Sequence, residues 1–277
     1  MDTPDALQAI ATCHTTPCGN GPLVWHRWGP AGGAPVVLLH GGSGSWTHWL
    51  RNIAPLVAAG HAVWVPDMPG FGDSAAPPDG EDADVLPRWL EAGLQHLVGA
   101  TTVALVGFSF GALVAGLWAQ AHPARVARLV LVGSPGLSAE RLPPLDLRRW
   151  DSLPPGPDRL AVHCHNLLQL MLAHDASATP LAVALHAANV ERDRLRRRRL
   201  MLTDALAQLL PRLACPVHGI WGARDVLYVS RLSLIGQVLA TAPGFRGLVQ
   251  VPDAGHWVAF EAADAFNAAL AAALAGG

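Results

Sequence analysis

The sequence predicts an α/β fold built on a mostly parallel sheet with helices on both faces. Short apolar runs recur with helical stretches between them, the alternation that builds crossover units. From Pro35 onward the runs are continuous rather than alternating, as expected of strands buried on both faces. The chain has 277 residues, of which 51% are hydrophobic and 14% charged, enough for one large core with an insertion.

Taken in order, strands are expected at Leu23–Trp28, Pro35–Leu39, Ala62–Val65, Thr102–Val106, Leu129–Val132, Val217–Trp221 and Gly247–Val251. A sheet of about eight strands accommodates them. The alternation breaks between 137 and 211. Leu142-Pro143-Pro144 and Leu153-Pro154-Pro155-Gly156-Pro157 interrupt any helix early in that stretch. Helices are expected near Asp158–Ala173 and Pro180–Gln208, and no strand. The economical reading is a helical insertion, 137–211, between two parts of one core, 1–136 and 212–277. A last helix over Ala262–Leu274 places Phe266, Leu270 and Leu274 on one face.

Composition narrows the function. A formal net charge of −2 argues against an electrostatic nucleic-acid binder. All 19 basic residues are arginines, which excludes a lysine Schiff base, a P-loop lysine and a Ser-Lys dyad. The start, Met1-Asp2-Thr3-Pro4-Asp5, lacks the pattern of a signal peptide, and no apolar run reaches membrane-spanning length. The four cysteines, Cys13, Cys18, Cys164 and Cys215, read as reduced thiols of a cytoplasmic protein. Neither Cys13-His14 with Cys18 nor His163-Cys164-His165 has the paired spacing of a structural zinc site, so no metal is expected.

The chemistry concentrates in Gly107-Phe108-Ser109-Phe110-Gly111, directly after an apolar run and before the small-residue stretch Gly111-Ala112-Leu113-Val114-Ala115-Gly116. This G-x-S-x-G pattern presents a serine hydroxyl on a sharp strand-to-helix turn. A serine needs a base. Among 13 histidines His256 is best placed, in a loop between the last strand and the last helix. Asp225, just past Trp221-Gly222, is the carboxylate expected to orient it. Asp253 stands too near His256 in sequence for that role. Developing negative charge on a substrate oxygen needs donors. The Phe110 N–H and the Gly42 N–H of His40-Gly41-Gly42-Ser43-Gly44 are the candidates. The order Ser109, Asp225, His256 is that of one hydrolase superfamily.

On these motifs, together with Asp67-Met68-Pro69-Gly70-Phe71-Gly72-Asp73-Ser74 and Gly255-His256, the chain resembles the α/β-hydrolases over nearly its whole length. The resemblance implies that 137–211 is the cap such enzymes carry. Ser109 stands where dehalogenases and epoxide hydrolases of this fold have aspartate, which sets those relatives aside. Gly255-His256-Trp257, Phe260-Glu261 and Ala263-Asp264-Ala265-Phe266-Asn267 are similar to the end of meta-cleavage-product hydrolases, which cut a carbon–carbon bond in ring-fission products. That likeness implies a cap arginine on the substrate carboxylate, for which Arg192 is the counterpart. Ser43, Trp46, Phe108 and Trp257 lie beside the catalytic loops as candidate substrate contacts.

The expectation is a serine hydrolase acting on a small acyl or carbonyl substrate without a cofactor. Carbon–carbon cleavage and ester, lactone or amide cleavage both stay open. So do a homo-oligomeric state and, in another class, a ligand-binding protein on the same scaffold.

Overall fold

The computed structural model describes residues 3–138 and 143–276. Leu142, from the first helix-breaking motif, lies outside the described residues, as do Met1 and Asp2 at the start.

Eight strands form one sheet in the order β1-β2-β4-β3-β5-β6-β7-β8. They are β1 (Thr12–Cys18), β2 (Gly21–Trp28), β3 (Pro35–Leu39), β4 (Ala62–Pro66), β5 (Val103–Phe108), β6 (Val126–Val132), β7 (Val217–Gly222) and β8 (Phe245–Val251). The β1–β2 and β2–β4 pairs are antiparallel and every later pair is parallel. The helices among the described residues are α1 (Pro4–Ala9), α2 (Ile53–Ala58), α3 (Leu86–Val98), α4 (Phe110–Ala121), α5 (Pro157–Leu170), α6 (Pro180–Glu191), α7 (Ala205–Leu209), α8 (Leu232–Leu239), α9 (Val258–Glu261) and α10 (Ala263–Ala275).

The continuous apolar runs are explained by two cores, one on each face. Val37, Leu39, Leu105, Leu129 and Leu131 pack into one. Their neighbours Val36, Leu38, Val106, Val130 and Val132 pack into the other. Side chains alternate across a strand, so a strand covered on both sides must be apolar at every position.

Strand β1 is absent from the sequence expectation. Its residues, Thr-Cys-His-Thr-Thr-Pro-Cys, alternate between exposed and buried along an edge strand. Pro17 is tolerated at such an edge because one side of the strand has no ladder to complete. The β1–β2 register runs from Thr12 opposite Arg27 to Cys18 opposite Gly21, closed by a two-residue turn with Gly19 at φ +58°.

Between β6 and β7 the described residues form no strand, and α5 packs on α6. The helix expected to run from Pro180 to Gln208 stops at Glu191. The arginine-rich stretch that follows is neither helix nor strand and is tied to the loop after β4. The Arg194 N–H donates to the Gly70 carbonyl at 3.0 Å. The Arg196 N–H donates to the Glu81 carboxylate at 3.1 Å and the Arg199 N–H to Asp82 at 2.7 Å. Closely spaced like charges disfavour a helix there, and these carboxylates supply the backbone partners a helix would have provided.

Candidate active site

The sheet order reverses beside β3. From β3 the chain moves outward to β4 on one side, then returns across β3 to β5 and continues the other way. The carboxyl ends of neighbouring strands β3 and β5 flank this switch point, where α/β sheets open a crevice. The loop after β3 carries Gly42 and the turn after β5 carries Ser109.

Ser109 adopts φ +51°, a left-handed conformation that costs a residue with a side chain. Tertiary hydrogen bonding holds it there. Its N–H donates to the Val132 carbonyl at 2.7 Å and its carbonyl accepts from the Ala112 N–H at 2.8 Å. The flanking glycines are set by close approach. A Cβ at Gly107 would stand 2.4 Å from the Gly111 carbonyl oxygen, and one at Gly111 would stand 2.3 Å from that of His40.

His256 reaches Ser109 from the loop after β8. The Ser109 hydroxyl lies 2.9 Å from Nε2, and Nδ1 lies 2.7 Å from Asp225 Oδ2. A carboxylate accepts only, so Nδ1 carries the proton and Nε2 accepts from the serine. His256 is 3% exposed and Asp225 fully buried. The other Asp225 oxygen accepts from the Leu227 N–H at 3.0 Å, which fixes the carboxylate plane. Tyr228 lies nearby, and burial, reinforced by the Asp225 charge, pushes its hydroxyl well above the ordinary tyrosine range.

Glu261 secures the loop carrying His256. Its carboxylate accepts from the N–H groups of Gly255 at 2.7 Å, Ala173 at 3.0 Å and His174 at 3.1 Å. One side chain thus joins the residue before His256 to the chain leaving α5.

The glycine loop is held from beneath by two buried histidines. The His40 Nδ1–H donates to the Gly41 carbonyl at 2.7 Å, and its Nε2 accepts from the Met68 N–H at 2.9 Å. Only neutral imidazole can do both, and burial lowers the His40 pKa. His48 Nδ1 accepts from the Gly41 N–H at 3.2 Å, and burial holds that ring far below its ordinary value. The Trp46 N–H donates to Asp67 at 2.8 Å, and the other Asp67 oxygen accepts from the Asp73 N–H at 2.9 Å. Phe110 opens α4, so its N–H has no intrahelical acceptor, and the helix N-terminus adds partial positive charge beside Ser109.

A cavity of about 350 Å³ lies over Ser109 and His256. Gly42, Ser43, Phe108 and Phe110 line it from the sheet side; Leu145, Leu147, Met171 and Met201 line it from the segment between β6 and β7. Trp46 and Trp257 are not among its lining residues. Trp46 is buried against Trp28 and His26. Trp257 stacks on Phe260 at 4.2 Å and donates its indole N–H to the His48 carbonyl at 2.9 Å. Both brace the loops from behind.

Arg192 is also placed elsewhere: its half-exposed side chain pairs with Asp73 on the surface. The arginine in the cavity is Arg198, held by Asp193. The sequence singles out neither, because the side on which each member of an arginine run emerges depends on how the segment docks. Glu261 sits in the Phe260-Glu261 pair that carries the resemblance, but a carboxylate binding three backbone N–H groups has no one-dimensional signature.

A profile of the alpha/beta hydrolase fold family matches residues 34–263. A 2-hydroxy-6-oxo-6-phenylhexa-2,4-dienoate hydrolase of Burkholderia cepacia is 28% identical over 251 residues, 85% of each chain. A 2-hydroxy-6-oxononadienedioate/2-hydroxy-6-oxononatrienedioate hydrolase of Klebsiella pneumoniae is 30% identical over 275 residues, 92% of this chain and 88% of that one. Among solved structures, a carboxylesterase of Bacillus subtilis superposes with a TM-score of 0.78 at 21% identity, over 98% of this chain and 94% of that one, a likeness of fold. The sheet order, the G-x-S-x-G turn at its switch point and the profile covering most of the chain agree: this protein belongs to the α/β-hydrolase family and is a hydrolase.

Proposed function

We propose that the protein is a serine hydrolase in which Ser109 is the nucleophile, His256 the general base and Asp225 the residue that orients it. The observation that carries this reading is the continuous hydrogen-bonded line from Ser109 Oγ through His256 to Asp225, at 2.9 and 2.7 Å. In the first step His256 Nε2 takes the Ser109 proton as Oγ attacks the substrate carbonyl carbon. The Gly42 and Phe110 N–H groups hold the oxygen that becomes negative. His256 then gives its proton to the leaving group as the bond to the carbonyl carbon breaks, leaving an acyl-enzyme. A water molecule, deprotonated by His256, attacks that acyl carbon. Collapse expels Ser109 Oγ, which recovers the proton, and a carboxylic acid departs.

The substrate is a small carbonyl compound with an apolar body. Support comes from the cavity volume and from the phenylalanine, leucine and methionine side chains around it. The segment 137–211 acts as the cap, because Leu145, Leu147, Met171 and Arg198 reach the cavity from it. All four cysteines are free thiols, which supports a cytoplasmic setting. No helix among the described residues is long and apolar enough to cross a membrane.

A second reading, carbon–carbon cleavage of a dienoate, is favoured by the names of the relatives above. There the leaving group is a carbon acid that must be protonated or ketonised first. One experiment separates the readings. A fluorophosphonate probe is expected to label wild-type Ser109 and not Ser109→Ala, and a panel of short p-nitrophenyl esters, lactones and ring-fission dienoates identifies the bond broken. Turnover by folded Ser109→Ala equal to wild type would remove Ser109 from the mechanism.

A further inference from the structure

Arg198 is the one charged residue among the described residues lining the cavity. Its guanidinium is already engaged. Nη2 pairs with Asp193 Oδ2 at 3.0 Å, and Asp193 is only 7% exposed. Asp193 is itself fully held: Ser43 Oγ donates to Oδ2 at 2.5 Å and the Leu195 N–H donates to Oδ1 at 3.0 Å. Ser43 belongs to the glycine loop and stands at φ +50°, so the core loop and the 137–211 segment meet in this network. The faces of Phe71 and Phe110, with centroids 5.5 and 5.6 Å from the guanidinium carbon, fix the plane of the fork.

Of the two terminal nitrogens, Nη1 is the one left. It is buried and has no hydrogen-bond partner among the described residues. It lies directly over the oxyanion loop, where a Cβ built on Gly42 would stand 2.8 Å from Nη1 and 3.5 Å from Phe110 Cβ. A buried N–H is costly to leave unmade, so the position is built for an oxygen brought in with the substrate.

We propose that Asp193 is a specificity-determining residue: from inside the protein it takes the place on Arg198 that a substrate carboxylate would take, so the pocket accepts uncharged carbonyl compounds and disfavours acidic ones. The inference deepens the serine-hydrolase reading and rests on it. With the Arg198 charge offset, Nη1 is a directed donor to a neutral acceptor, such as the second oxygen of an ester or lactone. A carboxylate entering the same space would meet a fixed anion a few ångströms away. It would be desolvated without gaining a free cation in return, and like charges so placed discriminate strongly.

The test compares two esters of similar size, p-nitrophenyl butyrate and p-nitrophenyl hemisuccinate, on wild type, Asp193→Asn and Asp193→Asn/Arg198→Met. Wild type is expected to favour the neutral ester by about tenfold or more in kcat/KM. Asp193→Asn should move that ratio about tenfold toward the acidic ester, and the double variant should return most of the shift. A merely structural role for Asp193 would depress both esters together and leave the ratio in place, which overturns the proposal. Should Asp193→Asn fail to fold, wild type decides alone. Preference for the hemisuccinate, or competitive inhibition by free butyrate stronger than by butyramide, overturns the proposal; the reverse pattern supports it. Fluorophosphonate labelling of Ser109 runs beside each assay. Labelling with an unmoved ratio defeats the Asp193 proposal only, whereas absent labelling and absent ester turnover defeat the serine-hydrolase reading and the proposal with it.

Discussion

The floor and the roof of the cavity are built by different physics. The floor, with Ser109, Gly42, Phe110 and His256, sits on strand ends at the sheet switch point and is held largely by main-chain hydrogen bonds and buried neutral histidines. The roof comes from the segment between β6 and β7, where α5 packs on α6 and an arginine-rich stretch without helix or strand is tied down by carboxylates. A main-chain scaffold dictates geometry whatever side chains surround it, so the floor suits catalysis. A scaffold of side-chain pairs can change by single substitutions, so the roof suits the choice of substrate.

Three changes probe that division beyond the tests already described. Glu261 is the sharpest, because one side chain binds N–H groups of both the loop carrying His256 and the chain leaving α5. Glu261→Gln replaces a carboxylate that accepts all three bonds by an amide that accepts on one oxygen. We expect kcat to fall about ten- to a hundredfold through misplacement of His256. KM should change less, and fluorophosphonate labelling should slow in proportion. Unchanged kcat would show that the Glu261 tie does not position His256, the Trp257 N–H bond to the Met171 carbonyl sufficing.

A smaller effect is expected from His186 on α6. It is buried beside His163, and burial, then the His163 charge, lowers its pKa to about 4. The unfolded chain takes up that proton near the ordinary value of 6.5. The stability His186 contributes is therefore complete above about pH 6.5 and is lost as pH falls from there toward about 4. Urea denaturation at pH 7 and pH 4.5 should show a smaller acid loss in His186→Gln than in wild type. An equal loss would take the acid sensitivity away from His186 and leave it with the other histidines whose pKa burial lowers, among them His163, His40 and His48.

The smallest effect is expected at Arg192. Its pairing with Asp73 is on the surface, where such pairs contribute less than about 1 kcal/mol. Arg192→Ala should leave kcat/KM within about threefold of wild type for acidic and neutral substrates alike. A selective loss on acidic substrates would return Arg192 to the site.

The legibility of the sequence follows the same line. Strands β3 to β7 are legible because strands covered on both faces must be apolar nearly throughout, and the edge strand β8 is legible from its apolar Leu248, Val249 and Val251, while β1, an edge strand of mostly polar residues, is not. The structure brings Ser109, His256 and Asp225 together, and the sequence points to them because each comes after an apolar run and Ser109 also sits at positive φ between closely packed glycines. Trp46 and Trp257 were misplaced into the pocket because adjacency in the chain gives no direction to a side chain. Arg192 pairs with Asp73 instead of lining the cavity, because a motif likeness fixes a position in the chain and not the direction its side chain takes.

The sequence by itself determined the α/β layering, the absence of strands among the described residues between β6 and β7 and the residue types that meet at the switch point, because these follow from local periodicity and from turns with narrow steric tolerance. The tertiary structure alone decided which arginine faces the cavity, that Asp193 neutralises it, and that Glu261 joins floor to roof. Those contacts span from five residues (Asp193 to Arg198) to 88 (Ala173 to Glu261) along the chain. In each case the direction of the side chain comes from long-range docking, which no local pattern encodes.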